Sequence, residues 1–183
     1  MVKPFRFWTR VALIRLNLGI LLGAVVLCTL LQLYPLPGIT LMGVQPNWLL
    51  IGVVTWSAKR TPLQGIVAGI TLGWIQDGLT ATHPTHALGL ALAGFLTSRV
   101  DKQRLIDEDF ISAALLVFFL ALVVEGILAG QFALSGDWKL EVLWPHLQRV
   151  GLSSAILSSL CTPLLYVPLN RWWDELHDRL EPY

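Results

Sequence analysis

The sequence predicts an all-α integral membrane protein, a bundle of six transmembrane helices forming one membrane domain over residues 1–183. Three observations carry that prediction. Of the 183 residues 55% are hydrophobic and only 14% charged, with a mean hydropathy of +0.64, more apolar than the surface of a water-soluble chain of this size tolerates. Six apolar runs follow one another, at about 13–34, 38–58, 63–80, 85–99, 110–134 and 150–168, to be measured against the roughly 20 residues a helix needs to cross a bilayer core. The cations alternate between the loops as the positive-inside rule requires.

The first run follows a basic start, the pattern of a signal peptide, but no small-x-small cleavage site succeeds it and Val26-Leu27-Cys28 lacks the small residue expected before a lipoprotein cysteine. It is therefore expected to remain as a span. The second run carries Pro46 in its middle and the fourth is short, so both are expected as full crossings, half-helices or re-entrant segments. Eleven of the thirteen Lys and Arg fall on one side: Lys3, Arg6, Arg10, Arg15, Lys59, Arg60, Arg99, Lys102, Arg104, Arg171 and Arg179. Lys139 and Arg149 alone occupy the opposite loops. Six crossings with both termini in the cytoplasm satisfy this division. The external loop 135–149 offers Trp138 and Trp144 to the headgroup layer, and residues 170–181 place Trp173, Leu176 and Leu180 on one side of a short interfacial helix.

A net charge of +1 leaves no basic field for nucleic acid. Cys28 and Cys161 lie singly in apolar runs, without the spacing of a disulfide framework or zinc site. His83 and His86, near Asp77, are separated by Pro84 and followed by no third ligand, so no metal and no cofactor is expected. Ser153 and Ser154 in "GLSSA" sit in a packing row, and the histidines that could activate them flank the span ends, so no catalytic residue is expected.

Small residues recur at helical spacing: Gly65, Gly69 and Gly73 in the third run, Gly19 and Gly23 in the first, Gly89, Ala93 and Thr97 in the fourth, Gly126 and Gly130 in the fifth, Ser154, Ser158 and Thr162 in the sixth. In lipid two helices gain no hydrophobic energy by meeting, so close van der Waals approach over small residues must hold them together. Each row serves either packing within the bundle or docking of another protein's span. Four residues turn a helix by about 400°, so the third row drifts about 40° per step and still brings Asp77 near the face of Gly73. Asp77 and Glu125 are the polar candidates inside the apolar zone, both toward the outer half. They could form a proton or substrate site, pair with Arg149 or His146, or, for Glu125, sit protonated.

The segments "QPNWLLIGVVTWSAKR" and "GIVAGITLGWIQDGLTATHPTHALGLALAGFL", with the late "PLLYVPLNRWW", resemble the bacterial rod shape-determining protein MreD family over essentially the whole chain. The elements that carry the resemblance are Pro46, Trp48 and Leu49 opening the second span, the glycine-spaced third span ending on Asp77, and Leu88-Gly89 opening the fourth. The resemblance has one departure, Asn47, where many members of that family carry Asp. The resemblance implies a non-enzymatic scaffold of the cell-elongation machinery in the bacterial inner membrane. Its partners would be MreC, a single-span protein, and through it MreB filaments, the glycosyltransferase RodA and a class B penicillin-binding transpeptidase. It also implies a fold like the S-component of energy-coupling-factor transporters. A vitamin-binding S-component is the rival reading.

Overall fold

The computed structural model describes residues 10–34, 38–80, 84–100, 110–136 and 140–180. Among them every regular element is a helix, with a single isolated bridge between Leu41 and Val44. The helices are α1 (Arg10–Leu33), α2 (Trp48–Ser57), α3 (Pro62–Thr80), α4 (Ala87–Arg99), α5 (Phe110–Ser135) and α6 (Leu140–Leu180). Among the described residues three stretches are long and apolar enough to cross a bilayer, Val11–Leu33, Phe110–Ser135 and Gln148–Leu176, while α2 and α4 are shorter apolar helices.

α2 forms the centre. Its ten residues span about 15 Å, half the bilayer core, and Leu49, Leu50, Ile51 and Val53 are completely buried. A helix apolar on every side needs neighbours on every side, and α2 packs against all five others. The second apolar run is thus helical only from Trp48, not from residue 38. Before it the chain turns tightly at Met42 (φ 53°) and Gly43 (φ 81°) and passes the buried Pro46.

A helix starting deep inside a protein must have its first N–H groups satisfied by side chains. Asn47 caps α2, its Oδ1 accepting from the Leu50 N–H at 3.0 Å. The Asn47 N–H donates to Ser158 Oγ of α6 at 2.9 Å, and the Trp48 N–H to Gln32 Oε1 of α1 at 3.0 Å. Gln45 ties back to the Gln32 carbonyl at 2.8 Å. Three parts of the chain therefore converge on one helix end. Asn and Asp cap about equally well, so the departure at Asn47 leaves this role intact.

α6 also departs from expectation. Residues 150–168 and 170–181 form no separate span and interfacial helix; one helix of 41 residues runs from Leu140 to Leu180 through Pro145, Pro163 and Pro168. Each proline removes one N–H, and a helix with packed neighbours absorbs that loss. At about 60 Å, α6 outruns a bilayer core of about 30 Å. Its far end packs beside the end of α2: the Trp56 and Trp173 rings meet edge to face at 5.4 Å, Lys59 pairs with Asp174, and the Arg60 guanidinium lies 4.2 Å from the Trp56 ring. The expected loop 135–149 is helical from Leu140, with Trp144 exposed. Trp138 lies outside the described residues.

Candidate functional site

The glycine rows divide into two kinds. Along α3, a methyl group added at Gly65 would collide with the carbonyl of Gly94, one at Gly69 with the carbonyl of Leu90, and one at Gly73 with the backbone of Ala87. This row is spent on α4, and Gly94 reciprocates against the Gly65 carbonyl. Backbone touching backbone is the closest packing two helices can reach, and only glycine permits it. Gly89 works on the next interface, where an added Cβ would stand 3.0 Å from Val124 of α5. Ala93 and Thr97 are fully buried on α4, as are Ser158 and Thr162 on α6.

Gly19, Gly23, Gly126 and Gly130 have nothing within 4 Å of a would-be Cβ. Around Gly19 and Gly23 the apolar residues Leu18, Leu22, Val26 and Leu27 are all exposed. Only 11% of the apolar window of α1 is buried within the chain, against 28% for α5 and 50% for α6, which makes α1 the most peripheral of the three. The other face of α1 meets the core through the buried Cys28, whose Sγ would lie 3.3 Å from a methyl at Gly52.

The polar candidates come together at the other end of the α3–α4 hairpin. Asp77 Oδ1 accepts from the His86 backbone N–H at 2.7 Å and faces His86 Nδ1 at 2.8 Å. Asp77 Oδ2 accepts from the Thr85 hydroxyl, which in turn accepts from the Ala87 N–H at 3.1 Å. Asp77 thus fastens the end of α3 to the start of α4, two segments that a proline-containing turn would otherwise leave loosely joined. From α5, Gln131 Nε2 donates to the Thr85 carbonyl at 3.1 Å, and the partly buried Glu125 lies within electrostatic reach of His86. Arg149, a considered partner for Glu125, donates instead to the Met42 carbonyl at 3.0 Å. The His146 side chain and His83 lie outside the described residues.

No group of three metal-ligating side chains occurs among the described residues. Of the motif positions, Pro46 and Trp48 are buried beside the α2 cap, Gly89 is packed on α5, and Leu88 is 58% exposed on the outer side of α4. Sequence reasoning missed Gly52, Gly94 and Gln32, and saw Ser158 only as a packing residue and not as a partner of the α2 cap. Gly94 was legible as the small residue seven after Ala87; Gln32 carried no signal without knowing that α2 starts beside it.

The family model for the rod shape-determining protein MreD matches residues 14–166, which takes in most of α1, all of α2 to α5 and most of α6. The chain belongs to the MreD family. Membership, with the apolar helices, makes this a membrane protein of the rod-shape-determining kind. Neither the curated proteins nor the solved structures give a match. Both glycine interfaces, the α2 cap and the Asp77 cluster lie within the matched MreD region.

Proposed function

We propose that this MreD-family chain is a non-enzymatic inner-membrane scaffold whose α1 face, at Gly19 and Gly23, receives the single span of MreC, and through it couples MreB filaments to RodA and its class B transpeptidase. The observation that carries the reading is the pair of uncovered glycines on the helix least enclosed by its own chain. A groove of that shape facing only lipid forfeits the close contacts that hold membrane helices together, and a partner helix restores them. The α3 row offers no such surface, being filled by α4. In this reading the chain crosses the membrane six times with both termini in the cytoplasm. That topology is supported by the charge alternation and by α2, α4 and α6 running in one direction: α3 runs against α2, with Leu72 by Gly52 and Gly65 by Ser57, and against α4, with Gly65 by Gly94 and Gly73 by Ala87, while the Asn47 and Trp56 ends of α2 meet Ser158 and Trp173 in turn.

The test is mild-detergent purification from a bacterial host with mass spectrometry of what travels along. The wild-type chain is expected to bring MreC, and a Gly19→Leu/Gly23→Leu variant to accumulate normally without it. Undiminished MreC in the double variant would reject the α1 face. Tight binding of a vitamin by the purified chain would replace the scaffold with an S-component.

A further inference from the structure

The two cations that follow α2 are held in different ways. Lys59 pairs with Asp174 of α6, and Asn170 Nδ2 donates to the other oxygen of that carboxylate at 3.3 Å. The neighbouring acid is thereby occupied. Arg60 comes next in the chain with its guanidinium 4.2 Å from the Trp56 ring, and among the described residues it has no carboxylate partner. Stacking fixes the plane of a guanidinium and keeps its edge, with the N–H fork, for an anion. Trp56 is itself braced by Trp173, whose ring meets it edge to face at 5.4 Å. Arg60 is therefore a positioned cation.

From Arg60 the chain runs directly into α3, where Leu63, Val67 and Trp74 are 71, 56 and 68% exposed. At about 100° per residue these three and Ile70 fall within about 60° of one another, on the side of the helix away from the Gly65, Gly69 and Gly73 row that α4 covers. Leu63 to Trp74 measures about 16 Å, half of a bilayer core of about 30 Å and so the depth of one leaflet. Past Trp74 the same side carries Asp77 and Gly78, which ends the apolar stripe. A partner helix crossing the whole membrane would need that stripe to continue; a single acyl chain does not.

We propose that Arg60, mounted on Trp56, binds the phosphate of an anionic phospholipid whose acyl chain lies along Leu63, Val67 and Trp74. The proposal rests on α3 crossing the bilayer as in the reading above, with residues 58–61 at the membrane surface. A zwitterionic lipid fits the same stripe but carries its phosphate beside a fixed ammonium, so headgroup charge decides between the two. One cation at the surface favours the anionic lipid by about fivefold.

The test places the purified full-length chain in lipid nanodiscs with a phosphatidylglycerol or a phosphatidylcholine probe that carries a diazirine midway along its acyl chain, and maps the photolabelled peptides by mass spectrometry. Phosphatidylglycerol is expected to label residues 63–74 about fivefold more than phosphatidylcholine, with a ratio near one on residues 123–134 of α5, which hold no cation. Arg60→Gln should bring the α3 ratio below about twofold. Arg99, exposed over Phe95, lies at the same end of the α3–α4 hairpin because Gly65 meets Gly94, and Arg99→Gln should leave the ratio unchanged, as should excess inorganic phosphate. If Arg60→Gln does not fold, the wild-type ratio on α3 against that on α5 decides. Equal labelling of α3 by the two probes, equal loss in the two variants, or displacement by inorganic phosphate would each overturn the lipid site while leaving α3 in the bilayer. Absence of label from α3 with both probes would overturn the six-crossing reading as well.

Discussion

The glycine rows of α3 and α1 look alike in sequence and do opposite things. On α3, Gly65, Gly69 and Gly73 bring the backbone of α4 so close that no side chain fits between them. On α1, Gly19 and Gly23 face open space. The difference lies in the turn that follows. α3 continues through a short segment pinned by Asp77 to Thr85 and His86, so α4 is delivered antiparallel onto the glycine face. α1 is followed by the 38–46 turn and by α2, which Gln32 and Cys28 hold on the side of α1 away from the glycines. A small-xxx-small row therefore records that some helix can come close; chain connectivity decides whether that helix is the protein's own.

The sharpest way to break the comparison is to fill both grooves. Gly69→Leu places a large side chain where the Leu90 carbonyl already sits, and no rotamer relieves a clash with backbone. We expect loss of the folded, monodisperse chain on size exclusion, with even Gly69→Ala costing about 1–3 kcal/mol as overpacking does elsewhere. Gly19→Leu should leave thermal unfolding of the isolated chain within about 0.5 kcal/mol of wild type, as substitutions away from packed sites do. Equal damage from the two would erase the distinction between them.

Smaller effects sharpen the account of why α4 lands on α3. Asp77→Asn keeps the shape but removes the charge that three donors share. Losing charge-assisted bonds in this setting is expected to lower stability by about 1–3 kcal/mol, read as a lower unfolding midpoint. Asn47→Ala deletes the cap of α2 and should cost about 1 kcal/mol, whereas Asn47→Asp should be close to neutral. Lys59→Ala removes a pair whose acid is more than half exposed, and is expected to change stability by less than about 1 kcal/mol.

The hydropathy and glycine spacing made the helical class and the α3 packing face legible, because both follow from one physical demand, that backbone in lipid be satisfied internally and packed closely. The shortness of α2 was legible in Pro46, though its starting residue depended on Asn47, Gln32 and Ser158, which are far apart in the chain and meet only in the fold. Asp77 and Glu125 were visible as costly acids; that Asp77 is held by His86 and Thr85 was hidden, since the "THPTHALG" segment reads more readily as a failed metal site. The continuity of α6 through Pro168 was missed because the apolar run ends there and charged residues follow, a change of composition that marks where burial in lipid ends and not where the helix does.

The central claim is that α1 carries the open docking groove and α3 the closed one. It is tested most directly by placing a photocrosslinking residue at Leu22, beside Gly19 and Gly23 on α1, and another at Leu72, beside Gly69 and Gly73 on α3, in growing cells. A crosslink to a single-span partner from Leu22 and only intramolecular product from Leu72 is the predicted result. Partner crosslinks from Leu72, with none from Leu22, would contradict it.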